Sequence, residues 1–276
     1  MVMLAAVQRV STSSVPCVMG VLNVTPDSFS DGGVFVHAQA AIDHACAMEA
    51  AGAAIIDVGG ESTRPGAKPV ALAEELDRVL PVIEAVHSAV SIPISVDTSK
   101  PAVMRAACDA GVRLINDVRA LTEPGALETA AALDVSICLM HMQGTPATMQ
   151  NNPHYDDVVA EVRGFLAERV AAAEAVGIDR TRLIIDPGFG FGKTDEHNAQ
   201  LLANLAELAT LGLPILAGLS RKSLVGRVLG RPIEDRLAGS VAAATLATWN
   251  GASIIRAHDV AETVDAVRLV QFIRSH

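Results

Sequence analysis

The chain has 276 residues, enough for one large α/β domain or two small ones, and half of them are hydrophobic but only 3% aromatic, so the core must be built from Ala, Val, Leu and Ile. Its formal net charge of -10 argues against nucleic acid or an anionic membrane as a general partner. An anionic small molecule is still admissible where basic residues converge. Cys17, Cys46, Cys108 and Cys138 lie in apolar segments without a C-x-x-C pair, the pattern of free thiols in a reducing cytoplasm.

The first fourteen residues read as a tail, with no basic start before a long apolar block, so no secretory signal is expected. Residues 15–276 read as one domain. Its strand candidates are VPCVMGVL (15–22), AAIIDV (53–58), IPISVD (92–97) and VRLIND (112–117). VSICLMH (135–141), RLIID (182–186), LPILAGL (213–219) and ASIIRA (252–257) follow. They are β-branched and continuously apolar, as strands covered on both faces should be. Ala- and Leu-rich helical stretches separate them, several stopping at Gly. The uncharged run from Leu237 to Ile255 is long enough for a membrane span, but Asn250-Gly251 breaks it into a helix and a strand.

Eight strands alternating with helices predict a (β/α)8 TIM barrel, with a doubly wound sheet as the competing pattern. The strand ends favour the barrel. Asn23, Asp57, Asp97, Asn116, Asp117, His141, Asp186, Arg256 and His258 all stand at C-terminal ends, where active sites of this fold assemble.

Between the first strand and the next helix, NVTPDSFSDGG (23–33) is longer than a reversal needs and carries an aromatic, which suggests a lid. GGESTRPGA (59–67) has a similar build. DPGFGFGKT (186–194) imitates a phosphate loop but has Pro187 where the first glycine is required, so a flexible aromatic loop is the better reading. SRKS (220–223) admits two readings, an anion site at a helix start or plain N-capping by Ser220. Arg256 and His258 beside it tilt the balance towards an anion site. His141 reads more simply as a core histidine than as a catalyst.

MGVLNVTPDSFSDGG and GAAIIDVGGESTRPGA resemble the two signature segments of the dihydropteroate synthase family. The resemblance continues through SVDTSKPAV, LINDV, LMHMQGTPATMQ, IIDPGFGFGKT, GLSRKS and IRAHDV, over nearly the whole chain. Ala257 is a small departure, where the family more often has valine.

This resemblance implies a cytoplasmic, homodimeric, magnesium-requiring transferase of folate biosynthesis and a sulfonamide target. Its substrates would be p-aminobenzoate and 6-hydroxymethyl-7,8-dihydropterin pyrophosphate. It implies Asn23 as a ligand of the Mg2+ on the pyrophosphate, and Arg256 and His258 as pyrophosphate anchors. Asp97, Asn116, Met140, Asp186 and Lys222 match the pterin site. Phe29, Thr63, Arg64, Pro65, Phe191 and Ser223 match the p-aminobenzoate site, and the expected catalytic set is Asp31, Asp97, Asp186, Lys222 and Arg256. A pterin-binding methyltransferase acting on a corrinoid protein, and a barrel that binds pterin without chemistry, are the alternatives.

Overall fold

A computed structural model describes residues 15–24, 34–64 and 66–276. The tail (1–14), Phe29, Asp31 and Pro65 therefore lie outside the described residues, as does most of the proposed lid.

The strands are β1 (Cys17–Asn23), β2 (Ile55–Gly59), β3 (Ile94–Asp97), β4 (Leu114–Asp117), β5 (Ser136–Met140), β6 (Leu183–Asp186), β7 (Leu216–Gly218) and β8 (Ile254–Ala257). Each falls inside or within two residues of a span expected from the sequence. The helices are α1 (Val34–Ala50), α2 (Leu72–Ala89), α3 (Pro101–Asp109), α4 (Ala126–Ala132), α5 (Val158–Ala175), α6 (Asp195–Ala203), α7 (Ser223–Leu229), α8 (Leu237–Trp249) and α9 (Val260–Arg274). The Leu237–Ile255 run does divide into α8, a turn and β8. Among the described residues, no helix is long and apolar enough to cross a membrane.

All strand pairs are parallel, in the order β6-β5-β4-β3-β2-β1-β8-β7, and an Ile185–Ile215 bridge spans the remaining seam. The result is a (β/α)8 barrel in one domain. Two cores follow from the period-two alternation of strand side chains. Outward-facing Val, Ile and Leu pack against the helices, as with Val58, Val96, Ile115, Ile137 and Ile185. Inside the barrel, Met19, Ile55, Leu114, Cys138, Ile184, Leu216 and Ile254 form a second apolar layer. Inward positions nearer the C-terminal ends include Asp57, Asp97, Asn116, Asp186 and Arg256. A two-residue step along each strand thus turns a dry floor into a charged mouth.

Candidate active site

The mouth is organised around one guanidinium. Arg256 Nε donates to Asp57 Oδ2 at 2.7 Å, and its Nη2 donates to Asp97 Oδ2 at 3.1 Å. Asn116 Nδ2 donates to the same Asp57 oxygen at 3.1 Å. Strand register sets this up, because Asp97 pairs with Asn116 and Asp57 lies one rung lower beside Ser95. Asp57 Oδ1 and Asn116 Oδ1 are buried without a protein partner among the described residues. An orphaned buried acceptor costs about 1–3 kcal/mol, so these atoms suit a ligand rich in N–H groups. Ser95 and Ser136 hydroxyls, deeper in the barrel, are likewise unpartnered.

Burial dominates the ionisation of this cluster. It pushes Asp97 up to about 7, with Arg256 opposing and the neighbouring Asp57, Asp117 and Glu75 carboxylates adding to the rise. Asp186 is raised for the same first reason, against the attraction of Lys222. Lys222 is lowered to about 8 by burial, with Asp186 opposing. Arg256 goes the other way, because Asp57 and Asp97 outweigh its own desolvation.

Lys222 sits at the edge of the mouth. Its Nζ donates to the Phe189 carbonyl and lies 4.6 Å from the centre of the Phe191 ring. Met140 is buried at the end of β5, in register with Asp186. The structure thus brings Asp97, Asn116, Met140, Asp186, Lys222, Arg256 and Phe191 to one end of the barrel.

His258 and Ser220 form the adjoining corner. Ser220 Oγ lies 3.1 Å from His258 Nδ1 and accepts from the His258 backbone N–H at the same distance. Burial lowers His258 to about 4, and the cations Arg256, Arg221 and Arg64 add to that, so the ring is neutral near pH 7. Ser220 does not cap α7. Lys222 holds the N-cap position, with no side-chain capping bond, and α7 begins at Ser223, which is exposed. The N-capping reading of Ser220 therefore fails, because its hydroxyl is committed to His258. Thr63 is half-buried and Arg64 exposed on the loop after β2.

The loop Asp186–Thr194 is pinned, contrary to the flexible reading. Buried Lys193 Nζ meets His141 Nδ1 at 2.8 Å, the Gly188 carbonyl at 3.0 Å and the Phe191 carbonyl at 3.1 Å. Burial holds Lys193 well below its usual range and His141 near 3. Gly188 adopts φ +67°, and a Cβ there would lie 1.8 Å from the His141 carbonyl oxygen. The lysine that imitates a phosphate loop thus ties backbone carbonyls together, and His141 is a satisfied core residue. Asp117 is also structural, accepting from Ser99 Oγ and from the backbone N–H groups of Arg119 and Leu121, both at 2.8 Å.

Sequence reasoning undervalued Asp57 and Lys193. An acidic residue inside the apolar run AAIIDV is the signal that would have found Asp57. For Lys193 only the fold supplies its acceptors.

Comparison with known proteins agrees with this geometry. The pterin binding enzyme family model matches residues 19–258. The chain belongs to the pterin-binding enzymes, among the dihydropteroate synthases. The dihydropteroate synthase of Escherichia coli (strain K12) is 56% identical over 256 residues, covering 93% of this chain and 91% of the relative. The Yersinia pestis dihydropteroate synthase structure with a sulfonamide drug complex superposes with a TM-score of 0.91 at 52% identity, covering 96% of this chain and 98% of that one. The Xanthomonas albilineans dihydropteroate synthase with 4-aminobenzoic acid gives 0.90 at 55% identity, covering 95% and 94%.

Proposed function

We propose that this chain condenses p-aminobenzoate with 6-hydroxymethyl-7,8-dihydropterin pyrophosphate, giving 7,8-dihydropteroate and pyrophosphate. The observation that carries this is the cluster of Asp57, Asp97 and Asn116 linked through Arg256, with Asp186 nearby and the Asp57 and Asn116 Oδ1 atoms left without N–H donors among the described residues. A pterin edge supplies such donors. The solved relative bound to 4-aminobenzoic acid supports the second substrate.

In this reading Asp97, Asn116, Asp186 and Lys222 hold the pterin against Met140. Arg256 and His258 face the pyrophosphate, with Ser220 fixing the imidazole. The arylamine nitrogen attacks the methylene carbon, the C–O bond to pyrophosphate breaks, and the nitrogen loses a proton to solvent. Positive charge that spreads into the pterin as that bond weakens is stabilised by Asp97 and Asp186. Thr63, Arg64, Phe191 and Ser223 are assigned to the p-aminobenzoate side, with Phe29 and Pro65. Asp31 belongs to the loop we assign as the lid.

Asn23 ends β1 half-buried at the same rim, and it pairs with Gly59 beside Asp97. Among the described residues no cluster of three His, Cys, Asp or Glu side chains could hold a metal. A single neutral oxygen is a weak magnesium donor, which fits an ion that arrives on pyrophosphate. Bound there, Mg2+ supplies neutralisation of the leaving group's charge.

Four free thiols support work in a reducing cytoplasm. We also assign a homodimer, supported by exposed Leu246 and Trp249 on α8 beside Leu269, Phe272 and Ile273 on α9. Incubation with both substrates and magnesium, reading dihydropteroate and pyrophosphate together, tests the activity. Formation of neither product would overturn the proposal.

A further inference from the structure

A second charged cluster lies outside the mouth, under the loop that follows β2. Glu75 sits on the buried face of α2 among Val79, Val82, Ile83 and Val86, where an aliphatic residue would be expected. Both of its oxygens are used. Oε1 accepts from Thr98 Oγ1 at 2.5 Å, and Oε2 accepts from Lys100 Nζ. The same ammonium donates to Glu61 Oε2. Glu75 is sealed from solvent, whereas Lys100 and Glu61 are about a quarter exposed, at 28% and 24%.

The cluster fixes the root of the loop. Gly60 lies directly on α2, since a Cβ there would come within 2.5 Å of Val79 Cγ1. Its carbonyl accepts from Arg78 Nη1 at 2.9 Å. Beyond Glu61 the ties among the described residues are fewer. The loop is held there by Gly66 N–H donating to the Pro146 carbonyl at 3.0 Å and by local turns. The root is therefore braced at Gly60 and Glu61, while Thr63 and Arg64 stand on the more lightly held part.

Stability alone gives little reason for Glu61 in this arrangement. Lys100 and Thr98 already satisfy buried Glu75, and a partly exposed ion pair adds little to stability. What the second carboxylate does provide is a fixed exit direction for the loop. We infer that Glu61, tethered through Lys100 to buried Glu75, is a positioning residue that sets where Thr63 and Arg64 stand around p-aminobenzoate. The inference rests on the proposed function, and it gives α2 and the β3 loop a part in selecting the second substrate.

Glu61→Ala tests it, since this change leaves the Lys100–Glu75–Thr98 core paired. Steady-state kinetics varying each substrate in turn should show the KM for p-aminobenzoate rising at least about tenfold, because ångström-scale misplacement is that costly. The KM for the pterin pyrophosphate should stay within about threefold, with the Tm shifting by about 2 °C or less. Glu61→Gln keeps an acceptor for Lys100 and should return to within about threefold of the unaltered chain. The double variant Lys100→Met with Glu75→Gln removes the tethering ammonium and its buried partner together and should still show the raised p-aminobenzoate KM. An unchanged p-aminobenzoate KM in Glu61→Ala, or an equal rise for both substrates, would overturn the inference. Failure of the unaltered chain to form dihydropteroate would instead overturn the functional reading beneath it.

Discussion

Asp97→Asn should make the free protein more stable at alkaline pH while disabling it. Asp97 and Asp57 share the Arg256 guanidinium, and burial carries Asp97 from an ordinary 3.8 to about 7. The sign follows from linkage. The folded-state value is raised, so the neutral carboxyl's contribution is fully present below pH ~4 and is lost as pH rises through about 7. Across that window the folded state holds a proton that the unfolded chain has released.

Each unit is about 1.4 kcal/mol, so ionised Asp97 costs the free protein on the order of 4 kcal/mol by pH 8. Asparagine keeps the shape and an oxygen for Arg256 Nη2 but never ionises. Recovering even half of that cost should raise the Tm by about 4–8 °C at pH 8 and by little at pH 4. Thermal unfolding of both chains at the two pH values measures the gap. Activity should fall about 100-fold, because the charge-assisted hydrogen bond proposed between Asp97 and the pterin is lost. A Tm gap of the same size at both pH values, or a less stable variant at pH 8, would refute the argument that Asp97 is electrostatically strained for the sake of its ligand.

Lys222→Ala should lower kcat/KM by about 10- to 150-fold, since one charged hydrogen bond in a closed site is worth about 1.5–3 kcal/mol; circular dichroism should show the fold intact. Chelation should abolish activity and magnesium restore it, with Asn23→Ala raising the magnesium concentration needed for half-maximal rate; calorimetry should detect no tight magnesium binding by the free chain. p-Aminobenzoate should bind measurably only after pterin and pyrophosphate are supplied, because it is too small to order two loops alone; equal titrations with and without them would count against the lid assignment. Leu246→Glu with Phe272→Glu should convert a dimer to a monomer in light scattering, and a persistent dimer would move the interface off α8 and α9.

The barrel was legible because its signal is repetitive and local. Short apolar runs such as AAIIDV and IPISVD, repeated between longer helical stretches, fit strands covered on both faces, and Gly after several of the helices marks the breaks. The mouth was legible for a related reason. Period-two alternation means that a polar residue ending such a strand, such as Asp97 or Asn116, must either enter the barrel or cap the next turn. Sequence does not say which, and Asn116 and Asp117, adjacent in the chain, take opposite answers.

What the sequence withheld is pairing across elements. Arg256 and Asp57 are distant in the chain yet share a 2.7 Å hydrogen bond, and Lys193 finds acceptors only after its loop has curled around it. Glu75 is the sharpest case. On α2 it looks like one more surface acid in LAEELDRVL, next to Glu74, which does face solvent. Only the packing of α2 against Gly60 buries it, and only then must Thr98 and Lys100 come to meet it. A buried charge is tolerated where its partners are assembled by the fold itself. Residues of this kind carry little local pattern, and here they decide where the more visible ones stand.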